Sequence, residues 1–212
     1  MSMAMQEPKI AYGPRLCTDV PNLYAGTQVV PYTPPPAGID NLGIRSVDTF
    51  VVPGLGEFTV EFTGYVRVVR SEPTATGWRD AEVYTNLIDM RMEGESPGLG
   101  RITVTLNHEC LSAGQIRTPF TDEHEAQPDK ACRMAVGAIF DAPKFGLSLY
   151  NKEPVILTID HVQAIPPAGN PGQGQIYRML PLYDLAHPDQ PPVAYLTSLQ
   201  FQMGTYLEPS QL

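Results

Sequence analysis

The sequence predicts an all-β protein, a mostly antiparallel barrel or two-sheet sandwich of about ten strands with an extended N-terminal arm. Three observations carry this. Across 57–70, Phe58, Val60, Phe62, Val66 and Val68 recur at every second position, while Glu57, Glu61 and Arg67 take the other parity. That alternation is the mark of a half-buried strand. Shorter runs of the same kind follow one another down the chain, with turn residues between most neighbours. Finally, 22 Pro and 18 Gly among 212 residues disfavour helix interiors throughout.

Residues 1–43 form a separate segment. Pro8, Pro14, Pro21, Pro31 and the run Pro34, Pro35, Pro36 keep it extended. Tyr12, Leu23, Tyr24, Val29, Val30 and Tyr32 suit an arm lying across its own domain or a second copy, and a partly disordered tail is the plainer reading. Residues 44–212 then make one domain. Its first strand spans 44–52, and 57–70 follows with Gly64 marking a bulge or bend. The stretch 74–80, with Gly77 and Trp78, is a turn; its tryptophan suits a contact surface or packing over one end of the sheet. Residues 81–93 are apolar on both parities, as expected of a strand covered on both faces. After turn chemistry at 95–100, the run 101–110 puts Ile102, Val104, Leu106, His108 and Cys110 on one face. Further strands are expected at 114–118, 131–141, 147–151, 155–165, 175–183 and 193–206. Only 121–127 suggests a helix, and Pro128 ends it. Closure into a barrel is favoured because strands this long would otherwise leave long open edges.

The stretch Glu95-Ser96-Pro97-Gly98-Leu99-Gly100-Arg101-Ile102-Thr103-Val104-Thr105-Leu106, with Ser112-Ala113-Gly114-Gln115 after it, resembles an uncharacterised family of bacterial all-β proteins of unknown function. The likeness covers residues 57–118. It implies a bacterial origin and an all-β fold, and it transfers no catalytic residue.

Composition narrows the function classes. A net charge of −9 with no basic run argues against a nucleic-acid partner, whose phosphates favour a basic face. No apolar stretch approaches the roughly 20 residues of a membrane span. Residues 1–15 lack the pattern of a secretory leader, so a cytoplasmic protein is expected. Three cysteines, Cys17, Cys110 and Cys132, fit reduced thiols better than a disulfide framework, although Cys110 and Cys132 could pair on facing strands. Phosphate-loop, G-x-S-x-G, H-E-x-x-H and C-x-x-C signatures are absent, and Gly54-Leu55-Gly56 and Gly98-Leu99-Gly100 lack the rest of a dinucleotide fingerprint. No cofactor is implied.

His108 and His161 are the candidate catalytic residues. Each falls on the apolar parity of its expected strand, so two imidazoles would point inward near strand ends and could move protons on a small substrate. The plainer reading is a histidine closing the core and hydrogen-bonded to backbone. Tyr84, Met90, Met134, Tyr195 and Met203 are the candidate ligand-binding residues, because flexible thioethers and amphipathic rings suit an adaptable apolar pocket; they fill an ordinary core equally well. Asp122, Glu123, His124 and Glu125 form an acidic cluster beyond His108 and Cys110, yet neighbouring strand residues face opposite sides and nothing forces ligands to converge, so no metal site is expected. Arg67, Arg91, Arg101 and Arg133 are expected to pair with Glu57, Glu61 or Glu82 across strands.

Two functions fit. One is the binding of an apolar small molecule inside the barrel, with or without cofactor-free proton transfer of the cyclase or isomerase kind. The other is a non-catalytic structural or interaction module that forms a homo-oligomer through residues 1–43.

Overall fold

Four long strands form one wall of the molecule: β1 (Gly38–Val52), β2 (Gly56–Arg70), β4 (Asp80–Ser96) and β13 (Ala194–Tyr206). The structure, a computed structural model, describes residues 35–75, 80–119, 131–160, 162, 165–167, 171–176 and 179–206. β1 pairs with β2 along its whole length, from Gly38 opposite Arg70 to Val52 opposite Gly56, and β13 lies antiparallel on its other edge. A two-residue strand, β3 (Thr74–Ala75), adds to one edge of β4.

The opposite wall is built in two tiers. β5 (Gly100–Leu106) and β6 (Ala113–Pro119) pair with the two halves of β4. β7 (Ala131–Val136) and β8 (Ala138–Ala142) come next, then β9 (Leu147–Asn151) and β10 (Val155–Asp160), then β11 (Pro171–Gln175) and β12 (Leu180–Asp184). One circuit runs β1-β2-β4-β5-β8-β9-β12-β13 and the other β1-β2-β4-β6-β7-β10-β11-β13. Both return through the β13–β1 pairing. The result is a single antiparallel sheet, ring-like rather than a barrel of unbroken staves. Closure removes the long edges, as expected. About ten expected strands become thirteen because β3 forms in the expected turn at 74–80, Gly137 splits 131–141 into β7 and β8, and β11 pairs in the stretch expected as a loop before 175. The far wall is interrupted at 107–112, at Gly137, at 152–154 and between Gln175 and Leu180. The helical hint at 121–127 lies outside the described residues, and the helical structure within them is a 3₁₀ turn, Pro143–Phe145.

Alternation decides which side chains fill the ring. Leu42, Ile44 and Phe50 from β1, Val60, Phe62, Val66 and Val68 from β2, and Ile102, Val104 and Leu106 from β5 are all buried. β4 departs from simple alternation. Its register against β2 slips between Arg67 and Val68, leaving Ile88 as an extra residue. Val83 and Leu87 therefore face inward before that bulge, and Met90 and Met92 after it. The mixed parities of 81–93 thus reflect a bulge, not a strand covered on both faces. Gly64, expected to mark a bulge or bend, is instead paired regularly with Ile44 on one side and Met92 on the other. It is glycine because β4 passes too close for a side chain: a Cβ there would stand 2.6 Å from Met92 Cα and press into the Arg91 carbonyl oxygen.

The expected boundary at residue 43 also shifts. Gly38–Gly43 belongs to the wall, where Arg70 pairs with buried Asp40 and its Nε donates to the Pro36 carbonyl at 2.8 Å. Residues 1–34 lie outside the described residues. The surface ion pairs differ from those expected: Arg91 and Arg101 both reach Glu93, and Arg117 stands 3.8 Å from Glu82.

Asn151 stabilises the break between the tiers. Buried at the end of β9, it accepts from Ala138 N at 2.7 Å and donates to the carbonyls of Val136 (3.1 Å) and Glu153 (2.8 Å). The Asn151→Ala variant is expected to strand all three backbone groups and to cost roughly 3 kcal/mol or more, read as a lowered urea midpoint. An unchanged midpoint would show that the break supports itself.

Candidate functional site

The end of the ring carrying the β1–β2, β4–β5 and β8–β9 connections opens as an apolar mouth of ≈ 220 Å³. Phe50, Leu99, Phe140, Phe145, Leu147 and Leu182 are among its lining, with Leu55 and Phe145 exposed at the rim. Beneath it lies an internal cavity of ≈ 40 Å³, lined by Ile44, Met90, Met92, Val104, Leu157 and Phe201 and their neighbours. Phe140 borders both spaces. Its ring meets Phe50 edge-on at 5.6 Å, and Phe50 meets Phe62 the same way at 6.3 Å. Edge-to-face pairs of this kind are held by the ring quadrupoles.

Three polar side chains interrupt the apolar lining of the inner cavity: Ser46, Asp48 and Asn151. Asn151 has its partners in the backbone. Asp48 is 1% exposed and Ser46 4%, and neither Asp48 Oδ1 nor Ser46 Oγ has a hydrogen-bond partner. Burial among hydrocarbon disfavours the anion and pushes the Asp48 carboxyl up to about 7; the Ser46 hydroxyl beside it opposes the rise but does not cancel it. Near neutrality this group can donate or accept a proton, and it is the sole titratable side chain among the described residues lining the cavity. An outer groove of ≈ 570 Å³ is larger, but Arg45, Glu61, Gln173, Gln200 and Gln202 make its lining more polar than that of the mouth, and it is more open to solvent.

The expected site residues do not assemble as a group. β5 ends at Leu106, and Asn107 takes the buried position beyond it. Asn107 Oδ1 accepts from Glu109 N at 3.1 Å, and its carbonyl from Cys110 N at 3.1 Å, folding 107–110 into a turn that leaves His108 exposed. His108 is therefore not an inward-facing proton carrier: side-chain capture of the backbone ends the strand at Leu106, four residues early. His161 and Trp78 lie outside the described residues. Tyr84 is 54% exposed, so it does not line a pocket, and Tyr195 is half-buried on the parity opposite Ala194 and Leu196. Met90, Met134 and Met203 are buried as expected, but of these only Met90 lines the cavity.

The polar element that sequence reasoning passed over is Asp48. Its signal was present: Leu42, Ile44, Ser46, Asp48 and Phe50 share one parity of β1. Cys110 and Cys132 are both free thiols, and burial pushes Cys132 up to about 12, leaving it protonated. No metal-holding group of His, Cys, Asp or Glu occurs among the described residues, and the acidic cluster at 122–125 lies outside them. No helix among the described residues is long and apolar enough to cross a membrane.

No curated protein matches the chain. Among solved structures, DynF from the dynemicin biosynthesis pathway of Micromonospora chersina is similar: it shares 68% sequence identity, covers 92% of each chain and superposes with a TM-score of 0.80. The family expected from the 57–118 stretch is likewise one without assigned function. With its pattern matching residues 1–212, the chain belongs to DUF6073, a family of unknown function.

Proposed function

We propose that this protein binds an apolar small molecule, which enters by the mouth at Leu55 and Phe145 and reaches inward past Phe50 and Phe140. The observation that carries this reading is an apolar mouth that shares Phe140 with a cavity holding a buried carboxyl whose Oδ1 has no partner. Pockets of this make-up, mostly hydrocarbon with a few placed polar groups, are typical of small-molecule sites. The similarity to DynF supports a ligand handled in a biosynthetic pathway. Among the described residues, Asp48 is the group placed for proton-transfer chemistry on such a ligand, since His108 is exposed.

Ala142 stands half-buried in the mouth lining, where a larger side chain would obstruct it. The native protein is expected to bind Nile red with a rise in its fluorescence. The Ala142→Trp variant should weaken that binding about tenfold or more, equal to about 1.4 kcal/mol, with its thermal unfolding still cooperative. Equal binding by both proteins, or none by the native protein, would remove the mouth as the binding site.

A further inference from the structure

The two unpartnered polar groups specify which apolar molecule fits. This inference rests on the binding reading above and sharpens it. We propose that Asp48, with Ser46 beside it, anchors the inner end of the ligand, and that this end is an uncharged carbonyl group carried on a hydrocarbon body.

Size comes first. The cavity around Asp48, ≈ 40 Å³, accepts an end group and nothing larger, whereas the mouth, ≈ 220 Å³, accepts a hydrocarbon body. Phe140, common to both linings, makes them consecutive compartments. Asp48, which lines the cavity, and Phe50, which lines the mouth, lie two residues apart on the inward parity of β1, so the anchor stands next to the mouth lining.

Charge comes second. Every element around the cavity contributes side chains to its lining: Ile44 from β1, Met90 and Met92 from β4, Val104 from β5, Val136 from β7, Ala138 and Phe140 from β8. Asn151 follows from β9, Val155 and Leu157 from β10, Leu180 from β12, and Leu196, Leu199 and Phe201 from β13. Among these described residues none is titratable or charged. A ligand carboxylate would therefore meet no cation among them and would face Asp48 itself. A buried carboxyl in such surroundings favours its neutral form, which offers an O–H donor, and the Ser46 hydroxyl offers a second. Two donors and no cation suit a carbonyl oxygen, which accepts through two lone pairs.

Nile red displacement by three probes of matched body tests this: benzylacetone with a ketone, butylbenzene with none, and phenylbutylamine with a cation. The native protein at pH 6 is expected to prefer benzylacetone over butylbenzene by roughly 3- to 10-fold. The preference should shrink at pH 8, where Asp48 is ionised and the Ser46 hydroxyl is drawn to its carboxylate. In Asp48→Leu it should vanish while butylbenzene still binds, and in Asp48→Asn it should persist without dependence on pH. Equal affinity of the native protein for the ketone and the hydrocarbon would overturn the anchor and leave the apolar site standing. Tightest binding of phenylbutylamine, strengthening with pH, would overturn it in favour of a cation site. Failure of Nile red and all three probes to bind would sink the anchor together with the binding reading.

Discussion

Replacing Asp48 by asparagine is expected to stabilise the protein by up to about 4 kcal/mol at pH 8 and by almost nothing at pH 4. The reason is linkage. In the unfolded chain this carboxyl releases its proton near 3.8, whereas burial holds it until about 7 in the folded state. Between those values the folded protein keeps a proton that the unfolded chain has lost. Stability from this residue therefore falls as pH rises through that window, and the full cost is present above the folded value. A shift of about three units corresponds to about 4 kcal/mol, an upper figure because local relaxation admits water. The amide of the Asp48→Asn variant cannot ionise, so its contribution stays level. Urea unfolding at a series of pH values reads the difference: the two stability curves should converge in acid and separate toward pH 8. Parallel curves would mean that Asp48 ionises in the folded protein as easily as in water.

Gly64→Ala should be the most damaging single-methyl change described here, costing more than about 3 kcal/mol. The added carbon would meet the backbone of Arg91 and Met92, which no rotamer change can clear. Relief requires separating β2 from β4 at the centre of the long-stranded wall. Gly204→Ala in β13 is the matched control, since its Cβ would stand 3.5 Å from the Gly43 carbonyl oxygen, an ordinary contact. That variant should stay within about 0.5 kcal/mol of the native protein. Comparable losses from both would point to a general strand effect of alanine instead of close approach at residue 64.

Strand-scale features were legible in the sequence, and the features that break alternation were not. The inward set of β2, Val60 to Val68, reads directly from parity because both neighbours pair with it regularly through Phe62 to Val66. Ile88 defeats the same rule in β4, since a bulge is a property of the pairing and not of the strand's own residues. Asn107 defeats it in β5: its side chain takes over a backbone hydrogen bond and swings His108 into solvent. Asp48 could have been found by applying to β1 the parity test applied to the histidines. What parity could not supply is the absence of a partner at Asp48 Oδ1, which depends on β4, β5, β8 and β13 presenting hydrocarbon to it.

The division of labour between the walls has a mechanical consequence. Long ladders along β13, β1, β2 and β4, broken only by register shifts, act as a stiff spine, because bending any one of them strains its neighbours. The facing side is jointed at four places, each joint free of the ladder that fixes the spine. Under the binding reading, a guest molecule would be housed by bowing that jointed side outward, one storey at a time, while the spine keeps the carboxyl at a fixed height.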